Sequence, residues 1–194
     1  MLFSFKKRKE TKLTRLQTHY NKIVRPDLIS RFVYKNPRQI PQMKHVSLHI
    51  SLKEAVQDPK ALHTAMLALE LISGQRGVWV YAKKSVSSFQ LRKGSPIGCK
   101  VTLRRERMFS FLDYLTTVIL PKSRDFKGIS FWSSDGRGDY SFGITNLLLF
   151  PQIELQYDFF SQLRGMDVHI TTTAPSDVEG KALLTGLRIP FKEE

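Results

Sequence analysis

Cysteine is almost absent from this chain of 194 residues, and that scarcity excludes two kinds of architecture. The single thiol, Cys99, cannot form an internal disulfide framework or a cysteine-rich zinc site. Long apolar runs are also missing, and the stretch at 147–150 is far too short for a membrane-spanning helix, which needs about 20 residues. Residues 1–10 carry charge where a secretory signal has its apolar core. We therefore expect a soluble intracellular protein with no membrane partner.

Catalytic and metal-binding patterns are absent from the sequence as well. The five histidines show no metal-ligand spacing, and neither a GxSxG serine elbow nor a GxxxxGK[ST] phosphate loop occurs. The glycine-rich segment SSDGRGDYSFG matches no phosphate-binding pattern, and its Asp135-Gly136 pair predicts a turn between two strands. An enzyme acting on nucleic acid would need convergent carboxylates or a metal cluster. The sequence therefore predicts no enzymatic activity, no metal and no cofactor.

Positive charge is abundant and unevenly placed. The formal net charge is +14, from 31 Lys and Arg against 17 Asp and Glu. Residues 1–40 contribute +9 and residues 76–107 contribute +8, whereas residues 41–75 are neutral and residues 108–194 contribute −3. Charge concentrated in this way attracts a polyanion, and the phosphate backbone of nucleic acid is the usual one.

Hydrophobic periodicity predicts an α+β fold. The strands predicted from alternation and from β-branched or aromatic composition lie at 45–51, 78–82, 99–104, 140–144 and 166–173. The helices predicted from apolar stripes lie at 13–32, 58–74, 107–120 and 176–187. We expect a largely antiparallel sheet with the helices packed on one face. A single domain is expected over 13–194, preceded by a basic tail over 1–12.

Proline and capping residues mark the ends of the predicted helices. Pro26 is expected to interrupt or restart the first helix, and Pro121 to end the third. Asp58 is a candidate N-cap of the second helix, with Pro59 in its first turn. The residues at 176–179, Ser-Asp-Val-Glu, match a capping box that would open the last helix.

The second face of the predicted sheet is polar. Its three clearest strands would present hydroxyls, imidazoles and cations, from Ser47, His49 and Ser51, from Lys100, Thr102 and Arg104, and from His169, Thr171 and Thr173. This set contains no carboxylate and none of the aromatic rings that sheet platforms use to stack unpaired bases. Such a face suits sugar and phosphate contacts. We therefore predict binding to the shape and backbone of structured RNA.

The segment Lys83–Arg107 combines cations with residues that favour a loop close to a partner. Two glycines and a proline let a backbone approach closely, and the cations are hardly offset by acids. Arg104 and Arg105 lie near a predicted helix N-terminus, where the helix dipole disfavours cations unless an anion compensates them. These features favour a binding surface over a solvated loop.

Several separate blocks of the sequence resemble one known family. ISGQRG, the span from KKSVSSF through SPIGCKVTLRRERM, RDFKGI, SSDGRGDYSFG, FPQIE and RGMDVHITTTAPSDVEGKALL follow the order found in bacterial-type large-subunit ribosomal protein five. The resemblance implies a structural protein of the central protuberance, not an enzyme. It implies binding to 5S rRNA and large-subunit rRNA, and contacts with neighbouring large-subunit proteins. It also implies an intersubunit bridge to a small-subunit head protein and a loop near peptidyl-site tRNA.

The resemblance, together with the basic segment, implies where RNA would bind. The expected RNA-binding residues are His49, Ser51, Lys53, Gln75, Arg76, Lys83, Lys84, Lys100, Thr102, Arg104 and Arg105. The tRNA-proximal loop corresponds to 89–96, with Gln90 and with Arg92, Lys93 and Gly94 expected at its tip. Where the family has LNMGVGEA this chain has LHISLKEA, so His49 replaces an asparagine and two glycines are lost. Lost glycines limit close backbone approach, whereas Lys53 adds a cation for phosphate.

Two further departures from the family favour an organellar ribosome. The basic residues at 1–12 extend beyond the family's usual start, and NLLLF at 146–150 is more apolar than the family's segment there. Neighbouring proteins in an organellar particle would cover such new apolar surface. We expect the mitochondrial matrix, with the plastid stroma or bacterial cytoplasm as alternatives. A free structured-RNA-binding protein or RNA chaperone outside the ribosome is the alternative function.

Overall fold

The described part of the chain extends from residue 14 to residue 192 with short gaps. The computed structural model describes residues 14–56, 60–124, 126–161, 163 and 165–192. The tail predicted over 1–12 and the helix-start pair Asp58 and Pro59 lie outside these described residues.

Five strands form an antiparallel sheet in the order β2–β3–β1–β5–β4. They are β1 (Met43–Ser51), β2 (Val78–Tyr81), β3 (Pro96–Leu103), β4 (Tyr140–Ile144) and β5 (Met166–Thr172). The strand β1 lies in the centre, with Leu48 opposite Val101 of β3 and opposite Val168 of β5. The predicted α+β class with a largely antiparallel sheet is confirmed.

Helices and short 3-10 turns connect the strands. The helices are α1 (Arg15–His19), α2 (Arg25–Arg31), α3 (Lys60–Ser73), α4 (Arg105–Tyr114), α5 (Leu120–Lys122), α6 (Pro151–Glu154), α7 (Tyr157–Phe160) and α8 (Asp177–Gly186). The 3-10 turns are Pro37–Gln39, Lys53–Val56, Ser87–Phe89, Phe131–Ser133 and Leu147–Leu149. Among the described residues, no helix has the length and apolar character needed to cross a membrane.

Proline restarts two helices in this fold. A π turn at Tyr20–Val24 precedes Pro26, and another at Leu115–Ile119 precedes Pro121. In each case the residue just before the proline donates its backbone N–H to the carbonyl five residues earlier. This wider turn relieves the clash between the proline ring and the preceding turn of the helix. Pro26 therefore restarts its helix, which is one of the two predicted outcomes, and the helix that contains Pro121 ends at Lys122, one residue beyond the proline predicted to end it.

The core lies between the sheet and the helices. Val46, Leu48 and Ile50 of β1 are at most 1% exposed, which confirms the predicted alternation of this strand. Leu147 and Phe150 are fully buried in the same core. The prediction that NLLLF creates apolar surface for neighbouring proteins is therefore wrong, because this segment fills the protein's own interior.

The capping box predicted at the start of α8 does not form. Ser176 occupies the N-cap position, but its side chain makes no capping hydrogen bond. Asp177 instead accepts a hydrogen bond from the Gly138 backbone N–H at 2.7 Å, and Glu179 accepts one from the Tyr34 hydroxyl at 3.0 Å. Partners distant in sequence therefore engage these two carboxylates, and the reciprocal bonds between Ser176 and Glu179 that define a capping box do not form.

The loop at 133–139 turns at its Asp-Gly pair and leads into β4, but the prediction of a strand on both sides is wrong, because Phe131–Ser133 is a 3-10 turn. Ser134 pairs with Tyr140 through an isolated bridge, and the Asp135 carboxylate accepts hydrogen bonds from the Arg137 and Asp139 backbone N–H groups. The Ser134 hydroxyl also donates to the Asp177 carboxylate at 2.7 Å. The loop is therefore tied both to its own strand and to α8.

Two glycines let this loop contact α8 directly. Gly138 has a φ of 78°, a conformation that favours glycine. A Cβ on Gly180 would lie 2.7 Å from the Gly138 Cα and 2.8 Å from its carbonyl oxygen. The Thr172 hydroxyl donates to that same oxygen at 2.9 Å. The loop, the end of β5 and the start of α8 therefore meet at one closely packed point.

We expect Gly180→Ala to destabilise the protein. The new methyl group would meet backbone atoms that cannot rotate away, so overpacking of about 1–3 kcal/mol should exceed the gain of about 1 kcal/mol in helix propensity. Urea unfolding measures the difference. The matched control is Thr185→Ala at an exposed position of the same helix, which should change stability by no more than about 0.5 kcal/mol. Equal stability of the two variants would contradict the close packing.

Candidate nucleic-acid interface

Polar side chains form a first row across the open face of the sheet. The strand register places Ser47 of β1 between Thr102 of β3 and His169 of β5, and Ser141 of β4 continues the row. The hydroxyl oxygens of Ser47 and Thr102 lie 3.5 Å apart, and the Ser141 hydroxyl lies 2.7 Å from His169 Nδ1. The predicted sharing of one face by these three strands is confirmed.

A second row of side chains across the open face contains an acid, Asp167, that was not among the residues predicted for this face. The register aligns Lys100 of β3, His49 of β1 and Asp167 of β5, and Asp167 is exposed. The prediction that this face carries no carboxylate is therefore wrong. The alternation that places His169 on the face also places Asp167 there, so the sequence contained the necessary information. Positive charge consequently lies toward β3 and negative charge toward β5.

His49 lies at the middle of the second row. Its ring meets the His169 ring edge to face, with the centroids 5.0 Å apart. Burial, and then the neighbouring His169 and Lys100, lower the pKa of His49, whereas Asp167 acts in the opposite direction. A neutral imidazole offers one donor and one acceptor nitrogen, which suits a ribose hydroxyl as well as a phosphate oxygen.

His45 extends this set of imidazoles and was missed from the sequence. It lies opposite Thr171 in the register, two residues before Ser47 on the same face of β1. Burial, followed by Arg104 and Lys44, lowers the pKa of His45. Its Nδ1 atom is buried and has no hydrogen-bond partner among the described residues. Extending the alternation of β1 backwards by two residues would have identified His45.

Two arginines stand at the N-terminus of α4. Arg104 is the N-cap residue and Arg105 the first helical residue, and both side chains are exposed. The φ of Arg105 is 52°, a left-handed conformation that costs an L-residue about 1–2 kcal/mol. The N-terminus of a helix also repels cations. Backbone strain and adjacent positive charge together indicate a place where a bound anion would be stabilising.

Gln75 joins the helical layer to the sheet beside these arginines. Its side-chain nitrogen donates to the Thr102 carbonyl at 2.7 Å, and its side-chain oxygen accepts from Arg107 at 3.0 Å. Both ends of the amide are therefore used within the protein, so Gln75 positions Thr102 and Arg107. A direct contact from Gln75 to RNA stays a prediction. Arg107 is a further cation of this surface that was not among the predicted site residues.

Residues 82–95, between β2 and β3, form a long hairpin loop. Val86 and Leu91 pair through two backbone hydrogen bonds of 2.9 and 3.0 Å. The tip of the loop is therefore 87–90, while 92–94 lies on the returning arm near the sheet. The prediction that Arg92, Lys93 and Gly94 occupy the tip is wrong. The pairing of Val86 with Leu91 closes the loop before residue 92, so the turn lies at 87–90.

The predicted cations of this hairpin are all at the surface. Lys83 and Lys84 are exposed on the outgoing arm, and Arg92 and Lys93 are exposed on the returning arm. Gln90 at the tip has a left-handed φ of 54°. The hairpin therefore places positive charge beside the polar face of the sheet, although its residues are not part of that face.

The remaining predicted residues lie around the edge of the polar face. Ser51 is exposed at the end of β1, opposite Gly98 of β3, and Lys53 is exposed in the turn that follows. Arg76 lies 4.0 Å from Glu70, and its side chain is 93% exposed. A solvent-exposed pair of this kind contributes at most about 1 kcal/mol and leaves the arginine accessible.

The single cysteine does not form a nucleophilic site. Cys99 is 1% exposed, with its sulfur 3.8 Å from the Ile50 carbonyl oxygen. Burial raises its pKa to about 12, so the thiolate is not populated at neutral pH. Within the described ranges, no three His, Cys, Asp or Glu residues are grouped to hold a metal ion.

Comparison with known proteins identifies the family. The family model described as "Ribosomal protein L5" matches residues 36–92, and a second model, for the C-terminus of the same ribosomal family, matches residues 96–191. The large ribosomal subunit protein uL5 of Caldanaerobacter subterraneus subsp. tengcongensis is 52% identical over 179 residues, which cover 92% of this chain and 99% of that protein. The uL5 proteins of Symbiobacterium thermophilum and Syntrophus aciditrophicus are 51% and 48% identical, each over 93% of this chain and 99% of the relative.

This chain belongs to the ribosomal protein L5 family. The resemblance inferred from the motifs is thereby confirmed over most of the sequence. The first L5 match contains β1 and β2, and the second contains β3, β4 and β5. Because β1 pairs with β3 and β5, strands from both matched regions build the polar face of this L5 protein.

We expect the free protein to lose stability as the pH falls below about 6.5, the usual histidine pKa. Folding lowers the pKa of His45 and His49, so the unfolded state takes up protons first. The contribution of these two histidines to stability is present at pH values above their pKa in the unfolded chain. It is lost as the pH falls toward their lower pKa in the folded protein. His45→Gln/His49→Gln should flatten this dependence in urea unfolding measured at several pH values. His63→Gln on α3 is the control, and an equal flattening there would contradict the assignment.

Proposed function

We propose that the polar face of the sheet, together with the cations of β3 and α4 along its edge, binds 5S rRNA and large-subunit rRNA in the central protuberance. Members of the ribosomal protein L5 family are structural constituents of the large ribosomal subunit and not enzymes, and this chain is one of them. The observation that carries the proposal is the strand register. It lines up hydroxyls and imidazoles of β1, β3 and β5 beside the cations of β3 and α4.

The charge gradient across this face supports a direction for the RNA backbone. Lys100 and Arg104 are exposed on the β3 side, followed by Arg105 at the start of α4. Asp167 on the β5 side would repel phosphate. The backbone of the bound RNA should therefore track along β3 and the N-terminus of α4, with ribose groups over the centre of the face.

The centre of the face is suited to ribose and base edges rather than to stacking. Ser47, Thr102 and His169 supply hydrogen-bonding groups at short spacing, and no aromatic side chain of β1, β3 or β5 lies among them. Single-stranded RNA is usually held by stacked aromatic rings. The face therefore favours a structured RNA recognised by shape, as a folded 5S rRNA would be.

We propose further contacts for the hairpin loop and for the exposed apolar residues. Its tip at 87–90 and its exposed cations Arg92 and Lys93 support an approach to peptidyl-site tRNA. Leu155, at the end of α6, and Phe159, within α7, are 86% and 74% exposed. Apolar side chains of this kind support contacts with proteins, namely a neighbouring large-subunit protein or the small-subunit head protein.

A mitochondrial ribosome is our proposed location, with plastid and bacterial ribosomes as alternatives. The support is the substitution of His49, Ser51 and Lys53 into a family motif rich in glycine, since such drift suits an organellar particle with altered RNA. Fractionation of the source cells followed by sedimentation would test this. Recovery with mitochondrial large subunits is expected, and recovery with plastid or cytosolic particles would reject this location.

Removal of two face cations should weaken 5S binding in a salt-dependent way. For Lys100→Ala/Arg104→Ala we expect a lower affinity for 5S rRNA and a log–log salt slope reduced by about 0.9 for each phosphate that is no longer neutralised. The measurement is a titration at several salt concentrations, beside a length-matched structured control RNA. Lys22→Ala removes an exposed cation from the helical layer and should have no comparable effect. An unchanged slope in the double variant would remove these residues from the interface.

The hairpin should act in translation rather than in 5S binding. Arg92→Ala/Lys93→Ala is preferable to a deletion, because the Gly94 N–H bonds to the Ala82 carbonyl at 3.0 Å and a deletion would break the base of the loop. We expect normal 5S affinity but slower protein synthesis by ribosomes that carry this variant. Loss of 5S affinity would instead assign the hairpin to the 5S site.

A further inference from the structure

A second basic surface lies at the C-terminal end of α8. A cavity of about 450 Å³ is lined there by Lys181, Arg188 and Lys192, with Phe191 between them. Among the described residues, the lining of this cavity contains three cations and no acid. Glu193 and Glu194, which follow Lys192 in the sequence, lie outside the described residues. Its chemistry is that of an anion site.

Aromatic rings border the same cations. The Lys181 ammonium lies 5.0 Å from the centroid of the Phe131 ring and 5.8 Å from that of Phe191. Trp132 stands beside Phe131, with ring centroids 6.0 Å apart, and is 82% exposed. The exposed indole therefore adjoins a phenyl ring that contacts the Lys181 ammonium. Aromatic rings grouped with cations are the combination with which proteins stack an unpaired base and neutralise its phosphate. We call Phe131, Trp132, Lys181, Arg188, Phe191 and Lys192 the aromatic–basic patch.

Arg188 has a left-handed backbone at the end of α8. Arg188 follows the last turn of α8, where its N–H bonds to the Thr185 carbonyl and the Ile189 N–H bonds to the Leu184 carbonyl. This is the Schellman arrangement, which favours glycine at the position of Arg188. Arg188 nevertheless adopts a φ of 64° there. The Schellman arrangement accounts for this conformation, and the exposed guanidinium of Arg188 remains accessible to an anion.

The patch is separated from the polar face by the sheet itself. Phe191 packs edge to face on the buried ring of Tyr140 in β4, with centroids 5.3 Å apart. The Lys192 N–H bonds to the Ile129 carbonyl, which fixes this end of the chain against the core. Ser141, the next residue of β4, belongs to the polar face on the other side of the sheet. One RNA segment bound at the polar face therefore does not occupy the patch.

We propose that the aromatic–basic patch is a second RNA-binding site, which takes an unpaired nucleotide by stacking its base on Trp132 and holding its flanking phosphates with Arg188 and Lys192. Lys181 adds positive charge beside the stacked base. This site goes beyond the proposed 5S-binding function and does not depend on it. The protein would thus hold two RNA segments on opposite sides of its sheet.

Tryptophan fluorescence provides a direct test. The chain has two tryptophans, and Trp79→Phe leaves Trp132 as the only reporter. The probe is a single-stranded oligoadenylate of about ten nucleotides, within the usual size of single-strand sites. We expect saturable quenching of Trp132. In anisotropy titrations with a labelled probe, Trp132→Ala should weaken binding about tenfold.

Charge variants test the phosphate contacts separately from folding. Arg188→Gly removes the guanidinium and gives the left-handed position the residue that it favours, so loss of binding cannot be attributed to misfolding. Combined with Lys192→Ala, it removes two cations. Because each neutralised phosphate of a single strand contributes about 0.7 to the log–log salt slope, the slope for oligoadenylate should fall in magnitude by about 1.4. The control Lys22→Ala removes an exposed cation outside both proposed RNA surfaces and should leave oligoadenylate binding unchanged.

Three outcomes would overturn the proposal. The first is oligoadenylate binding that depends on Lys100 and Arg104 but not on Trp132, which would place single-stranded RNA on the polar face. The second is equal quenching by a blunt RNA duplex, which would remove the requirement for an unpaired base. The third is no quenching by either RNA, which would indicate a protein partner instead. Binding of 5S rRNA, measured in parallel, reports the proposed function independently of all three.

Discussion

The double pairing of β1 is the constraint on which the rest of this structure depends. This strand is hydrogen-bonded to β3 on one edge and to β5 on the other. Because side chains alternate along a strand, the burial of Val46 and Leu48 in the core requires Ser47 and His49 to lie on the open face. A slip of one residue would exchange the two sets. The same backbone hydrogen bonds therefore specify both the core and the polar face.

The helical layer is attached to this sheet by polar contacts as well as by packing. Asp177, at the start of α8, accepts hydrogen bonds from the loop that precedes β4, and the Tyr140 hydroxyl donates to its backbone carbonyl at 3.1 Å. Gly138 and Gly180 permit the close approach that these bonds need. The position of α8, and with it the aromatic–basic patch at its far end, follows from this junction.

The sequence predicted those features that depend on local periodicity and missed those that depend on distant partners. The strand β1 was predictable because one face of it is buried along its whole length. The role of Asp177 was not, because its partner Gly138 is 39 residues away. The hairpin tip was misplaced because the turn depends on the pairing of Val86 with Leu91. Asp167 differs from these, since simple alternation would have placed it on the polar face.

Three non-glycine residues have left-handed backbones in the described parts of the chain, namely Gln90, Arg105 and Arg188. One lies at the hairpin tip, one at the start of α4 and one in the aromatic–basic patch, so each lies on a surface proposed to meet RNA. On the proposed function, RNA bound at these surfaces would stabilise the folded state and help to offset the unfavourable backbone conformations in the assembled particle. Copies left outside the particle should therefore unfold more often and be degraded sooner. Selective turnover of the unassembled copies would match the amount of protein to the amount of RNA.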